Sequence, residues 1–169
     1  STDVMNIRTA RDTHGLYGDG QTVGVCDSGL DQGSTSPANL HDDFEDGSGN
    51  TRVTEIIDRV GDGADDVNSG HGTHVAGSVL GNGIMSGSNP SADDFPLTCF
   101  AGMAPKANLV FQAAEDNSTP GLIELPSDLN SLFSQADSAG ADLHTNSWGG
   151  AYGGKYSSYS EDVDEYMWD

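Results

Sequence analysis

Positive charge is what this 169-residue chain lacks most: 6 Lys+Arg stand against 27 Asp+Glu, for a formal net charge of −21. So acidic a chain repels a phosphate backbone, and nucleic acid is set aside as a partner on that ground. The excess acid reads in three ways: as a solvated surface, as adaptation to screening salt, or as clustered cation ligands. The clusters concerned are DDFEDG (42–47) and GDGADD (61–66), and neither has EF-hand spacing. Cysteine is scarce as well, with only Cys26 and Cys99. Cys26 closes an apolar run and reads as a small buried hydrophobe, Cys99 falls in a loop, and a disulfide between them is not favoured. No apolar run approaches the roughly 20 residues of a membrane span, and no basic-then-apolar leader opens the sequence.

What is present is enough hydrophobic residue (34%) for one domain with a core, and 23 glycines for tight turns and close backbone approaches. TVGVC (22–26), RVTEIID (52–58), NLVFQAA (108–114) and ADLHTNS (141–147) read as strands. Helices are expected over Gly70–Leu80, over 127–139 and over 159–168. In the second, Leu129, Leu132, Phe133 and Ala136 share one face, Ser127 offers an N-cap, and Gly140 supplies a left-handed C-terminal residue. The stretch 84–100 reads as a surface insertion. Strands alternating with helices predict an α/β fold, a mostly parallel sheet covered on both faces. In such sheets sites gather beyond the carboxyl ends of the strands, where Asp27 and Ser147 stand.

Asp27 directly follows the first strand, and a carboxylate there is costly to desolvate unless something pairs with it. His71 opens a helix between Gly70 and Gly72, with His74 three residues on. A zinc-protease helix wants His at i and i+4 with Glu after the first, and neither condition is met. A histidine general base works best when a buried carboxylate holds one ring nitrogen, so Asp27 and His71 suit those two parts.

VGVCDSGLD (23–31), GHGTHVAGSVLGNG (70–83), GMAPKANLVFQ (102–112) and HTNSWGG (144–150) occur in the order seen in subtilases, the subtilisin-like serine proteases. The Trp in NSWG is similar to the oxidant-stable alkaline protease branch. The resemblance implies a three-layer subtilisin-like fold, with residues 1–169 as the N-terminal portion of its catalytic domain. It implies that Asp27 orients the histidine, that His71 is the general acid–base, and that His74 packs or hydrogen-bonds within its helix. Ser147, Trp148 and Gly149 resemble the segment that pairs with substrate and edges the specificity pocket, and Glu115–Gly121 falls where a second substrate-pairing strand is expected. A secreted serine endopeptidase acting on polypeptides follows, with no catalytic cofactor, a structural calcium whose ligands are not identified, and zymogen processing.

Two motifs of the family are absent: the Gly-Thr-Ser-Met-Ala stretch of the nucleophile and the Ala-Ala-Gly-Asn stretch of the oxyanion donor. Ser28, Ser147 and Asn146 belong to other motifs and do not replace them. The expectation is that a companion C-terminal fragment carries the catalytic serine, and that this chain alone is inactive. The alternative is a non-catalytic peptide-binding module derived from a subtilase.

Overall fold

In the computed structural model, which describes residues 4–168, four strands form one wholly parallel sheet. They are β1 (Thr22–Asp27), β2 (Val53–Asp58), β3 (Asn108–Ala113) and β4 (Leu143–Asn146), in the spatial order β2-β3-β1-β4. The helices are α1 (Ile7–His14), α2 (His71–Leu80), α3 (Asn130–Ser138) and α4 (Ser158–Trp168). Register runs Val25↔Phe111 between β1 and β3 and Cys26↔Asn146 between β1 and β4. The carboxyl ends of β3, β1 and β4 therefore lie side by side.

Both faces of the sheet are covered, and β1 and β3 are buried at every position but the first. Val23, Val25, Leu109 and Phe111 pack with Ala76 and Leu80 of α2 in one core cluster. The alternate residues face the other way, where Cys26 packs with Leu132 and Phe133 of α3. The α/β expectation holds, with a helical layer on each side.

Three local expectations need revision. The helix expected from 127 begins at Asn130, and Ser127 is not its cap: Leu129 N–H donates to Asp162 Oδ2 on α4 (2.9 Å) and Asn130 N–H to Asp128 Oδ1 (2.9 Å). Gly140 does adopt the left-handed conformation, at φ 91°. The 84–100 stretch is not all surface: Phe95 and Cys99 are buried with Tyr17 in a satellite cluster. There the Arg11 guanidinium of α1 lies 5.0 Å from the Phe95 ring centroid and 5.7 Å from that of Tyr17. Both cysteines are free and buried, so no disulfide joins them.

A buried guanidinium ties the layers together. Arg52 donates Nε–H to Glu45 O (2.8 Å), Nη1–H to Ala107 O (2.5 Å), and Nη2–H to Asp43 O (2.7 Å) and Leu80 O (2.7 Å). These carbonyls come from the 42–47 loop, the end of α2 and the entry to β3. Burial lowers its pKa to about 10, against the pull of Asp43 and Asp46, so it is a cation at neutral pH. Lysine keeps the charge but has one donor centre and three protons for four carbonyls. R52K is expected to lower stability by about 2 kcal/mol through the unpaired carbonyls, read from the urea midpoint.

Candidate functional site

The site is assembled at the carboxyl end of β1, from the first turn of α2. Asp27 is 1% exposed. Its Oδ1 accepts the Ser28 N–H at 2.8 Å and lies 2.6 Å from His71 Nδ1. The His71 side chain is half exposed, at 52%. One ring edge is thus fixed on a buried carboxylate and the rest reaches solvent. Asp27 Oδ2 is buried with no hydrogen-bond partner among the described residues. The carboxylate is therefore compensated on one oxygen only, a costly arrangement that leaves the imidazole as its main counter-group.

The first turn of α2 is held by its own orphan donors. His71 N–H donates to Ser69 Oγ (3.2 Å), Gly72 N–H to Ser28 Oγ (2.9 Å), Thr73 N–H to Asp66 Oδ2 (2.8 Å) and His74 N–H to Gly70 O (3.0 Å). Ser28 Oγ in turn donates to Asp66 Oδ1 at 2.9 Å, and Thr73 Oγ1 to Asp66 Oδ2 at 2.7 Å. Asp66 thus couples the residue after Asp27 to the turn that carries His71. Ser28 has its hydroxyl spent in this network and is buried, which removes it as a nucleophile. Among the described residues no hydroxyl is bonded to His71 Nε2.

The electrostatics favour a charged imidazole. The Asp27 hydrogen bond and then its charge raise the His71 pKa above the usual histidine value; partial burial opposes them, while Asp66 and Glu115 add to the rise. The other imidazole near the sheet end behaves in the opposite way. Burial beside Phe133 drives His144 down to about 4, so it is neutral and bonds Gln112 Oε1 through Nε2 at 2.9 Å. The Cys26 thiol is pushed up to about 12 by burial and is not a nucleophile at neutral pH.

Two segments follow the strands that neighbour β1. After β4, Ser147 and Gly149 are exposed, and Trp148 folds inward to donate Nε1–H to Cys26 O at 3.0 Å. That bond anchors the Ser147–Gly149 segment one residue from Asp27. After β3, the chain from Glu115 does not continue as an open strand but turns back through an antiparallel Glu115–Ile123 bridge. Between the segments lies a cavity of about 530 Å³ lined by Leu122, Leu125, Trp148, Gly149, Tyr152 and Tyr159. A second cavity, about 370 Å³, runs along the unpaired edge of β4 beside Leu143, Val163 and Met167, remote from His71.

His74 is exposed rather than packed in its helix, because the inward positions of α2 belong to Gly72, Ala76 and Leu80. Several carboxylates of the two acidic clusters are already engaged within the protein. Asp46 is occupied by the N–H groups of Ser48 and Asn50 and the Asn50 amide, Asp62 Oδ2 by Asn117 N–H, and Asp66 by Ser28 and Thr73. Among the described residues no group of three His, Cys, Asp or Glu side chains could hold a metal ion. Sequence reasoning placed Asp66 in an acidic cluster and Glu115 at the head of a substrate-pairing stretch, and missed the hydrogen-bond network each one enters. The available signal for Asp66 is a carboxylate just ahead of a helix start.

The Subtilase family profile matches residues 18–169. Among curated proteins, "Serine protease/ABC transporter B family protein tagA" of Dictyostelium discoideum is 28% identical over 158 residues, 94% of this chain and 8% of that protein. The tagB protein of the same organism is 30% identical over 163 residues, again 8% of its length. The chain thus spans about a twelfth of these relatives. Among solved structures, the Clostridium perfringens CspB protease superposes with a TM-score of 0.67 at 22% identity, over 95% of this chain and 36% of that one. That likeness speaks for the fold alone.

Proposed function

Since the chain belongs to the subtilase family, we propose that it is the Asp- and His-bearing portion of a secreted serine endopeptidase that cleaves polypeptides through a Ser-His-Asp triad. The observation that carries this reading is the 2.6 Å contact from Asp27 Oδ1 to Nδ1 of a half-exposed His71. Asp27 keeps the proton on Nδ1, which leaves Nε2 as the base. Nε2 takes the proton of a serine hydroxyl, the serine oxygen attacks the scissile carbonyl, and His71 then protonates the leaving amine. Water releases the acyl group by the same route.

The serine and an oxyanion donor come from polypeptide other than these residues. The open edge of β4, with Leu143, Val163 and Met167 exposed, suits addition of the companion segment to the sheet. The main chain at Ser147–Gly149 pairs with substrate, and the cavity beside Trp148 takes an apolar side chain of it. A structural calcium is part of this reading, with no ligands assigned.

The full-length protein, treated with a serine-directed fluorophosphonate, tests this. A label on a serine outside residues 1–169, with loss of peptidase activity, supports the endopeptidase. No label in any co-purifying chain favours the peptide-binding module. A pH profile adds a signed expectation. The reaction needs neutral His71, and Asp27 raises its pKa. The acid limb of kcat/KM therefore has its midpoint above about 6.5, the ordinary histidine value.

A further inference from the structure

Glu115 is a buried acid for which the triad has no use. It stands at the carboxyl end of β3, 4% exposed, with its own N–H donating to Ser28 O at 3.3 Å. Its Oε1 accepts the Gly121 N–H at 2.5 Å, and its Oε2 accepts from Asn68 Nδ2 at 3.3 Å. Asn68 lies three residues before His71 and also donates to Asn117 O at 3.4 Å. Gly121 closes the exposed stretch just before Leu122, which lines the cavity beside Trp148. One carboxylate therefore joins three things: the residue after Asp27, the loop entering His71, and the far end of the 116–121 turn.

We propose that Glu115 is a positioning residue of the peptidase site: its two oxygens hold the 116–121 turn against the loop entering His71. The inference rests on the peptidase reading above. The fixed turn presents a defined edge to the substrate, so its loosening raises KM. The fixed charge favours the imidazolium formed when the serine gives up its proton. The charged groups that bear on His71 are Asp27 from β1, Asp66 from the loop before α2, and Glu115 from the end of β3, all acidic. Removing one lowers the imidazole's proton affinity and leaves the other two.

Three variants of the full-length protein separate charge from shape. In E115Q the carbonyl oxygen still accepts from Gly121, but the amide bears no charge and cannot accept from Asn68. E115D keeps the charge on a shorter arm, and E115A loses both. The midpoint of the His71 ring titration, followed by NMR on labelled histidine, is expected to fall in E115Q and to stay near wild type in E115D. The acid limb of kcat/KM moves to lower pH with it. KM for a peptide is expected to rise about tenfold in E115A, the worth of one lost charge-assisted hydrogen bond. An E115Q titration coincident with wild type overturns the inference, as does an unchanged KM in E115A with only a lowered melting temperature. A wild-type protein without peptidase activity sinks the peptidase reading by itself, and the His71 titration still reads the effect of Glu115.

Discussion

His71→Ala in the full-length protein is expected to lower kcat by a factor on the order of 10⁶ with little change in KM. That is the size of the loss when subtilisin, a member of this family, is stripped of its corresponding histidine. The geometry explains why the loss is so large. The group Asp27 holds by Nδ1 is the half-exposed imidazole itself, and the base is lost with it. Asp27→Asn is expected to cost about 10⁴, less than removal of the base. Asparagine removes the charge that stabilises the imidazolium formed in the reaction, and an amide group turned toward Nδ1 would also force the ring proton onto Nε2, where a lone pair is needed. The same substitution removes a buried charge bonded through one oxygen only, so D27N is not expected to lower the melting temperature. Activity lost by four decades without loss of stability separates a chemical role for Asp27 from a structural one. Single-turnover kinetics with scanning calorimetry on both variants reads the two quantities independently.

What the sequence exposes and what it hides follow one rule. β1 and β3 stand out because every second residue packs on α2 and the alternate ones on α3, which leaves continuous apolar runs. α1, IRTARDTH, shows no such run and is not predicted. Its buried residue is Arg11, a cation lying over two aromatic rings, and a search for apolar periodicity passes over it. Phe95 and Cys99 are hidden in the same way, since what buries them is Tyr17 and α1 rather than their own flanks. At the site, Asp27 and His71 each sit in a run of local signals, a strand end, a pair of glycines and a helix start, but it is the resemblance of the ordered motifs to subtilases that singles the two out as a pair. Asp66 and Glu115 acquire their meaning from partners distant in the chain. Asp66 bonds Ser28 across 38 positions, and Glu115 bonds Asn68 across 47. The GDGADD cluster therefore resembles a set of cation ligands in sequence, while its last carboxylate is committed to a helix terminus. α3 starts later than its local signals indicate for a related reason: the Leu129 N–H at its start is met by Asp162 of α4 rather than by a neighbouring serine.

Gly72→Ala is the smallest change expected to separate the two site residues. A Cβ at position 72 meets Gly29 O at 2.4 Å, Gly29 N at 3.0 Å and Phe111 Cζ at 3.0 Å. The nearest obstacle is main chain, which cannot rotate aside as a side chain can. Gly29 is itself wedged, since a Cβ there meets Asp65 O at 2.6 Å. Displacing the Gly29 peptide therefore pushes on the loop that holds Asp66, and relief has to come from lifting the first turn of α2 off the sheet. That movement stretches the Gly72 N–H bond to Ser28 and carries His71 away from Asp27. The overpacking cost is expected near the top of its usual range, about 3 kcal/mol, read from the urea midpoint. Helix propensity works the other way, because alanine is the better helix former by about 1 kcal/mol. A variant of unchanged or higher stability would show that the close approach is loose. Even if the fold survives the change, a shift of about 1 Å between base and carboxylate is enough to cost on the order of 10² in kcat. The histidine titration then returns toward its ordinary midpoint as the Asp27 contact is lost. Kinetics and NMR titration together thus distinguish a displaced histidine from a merely weakened fold.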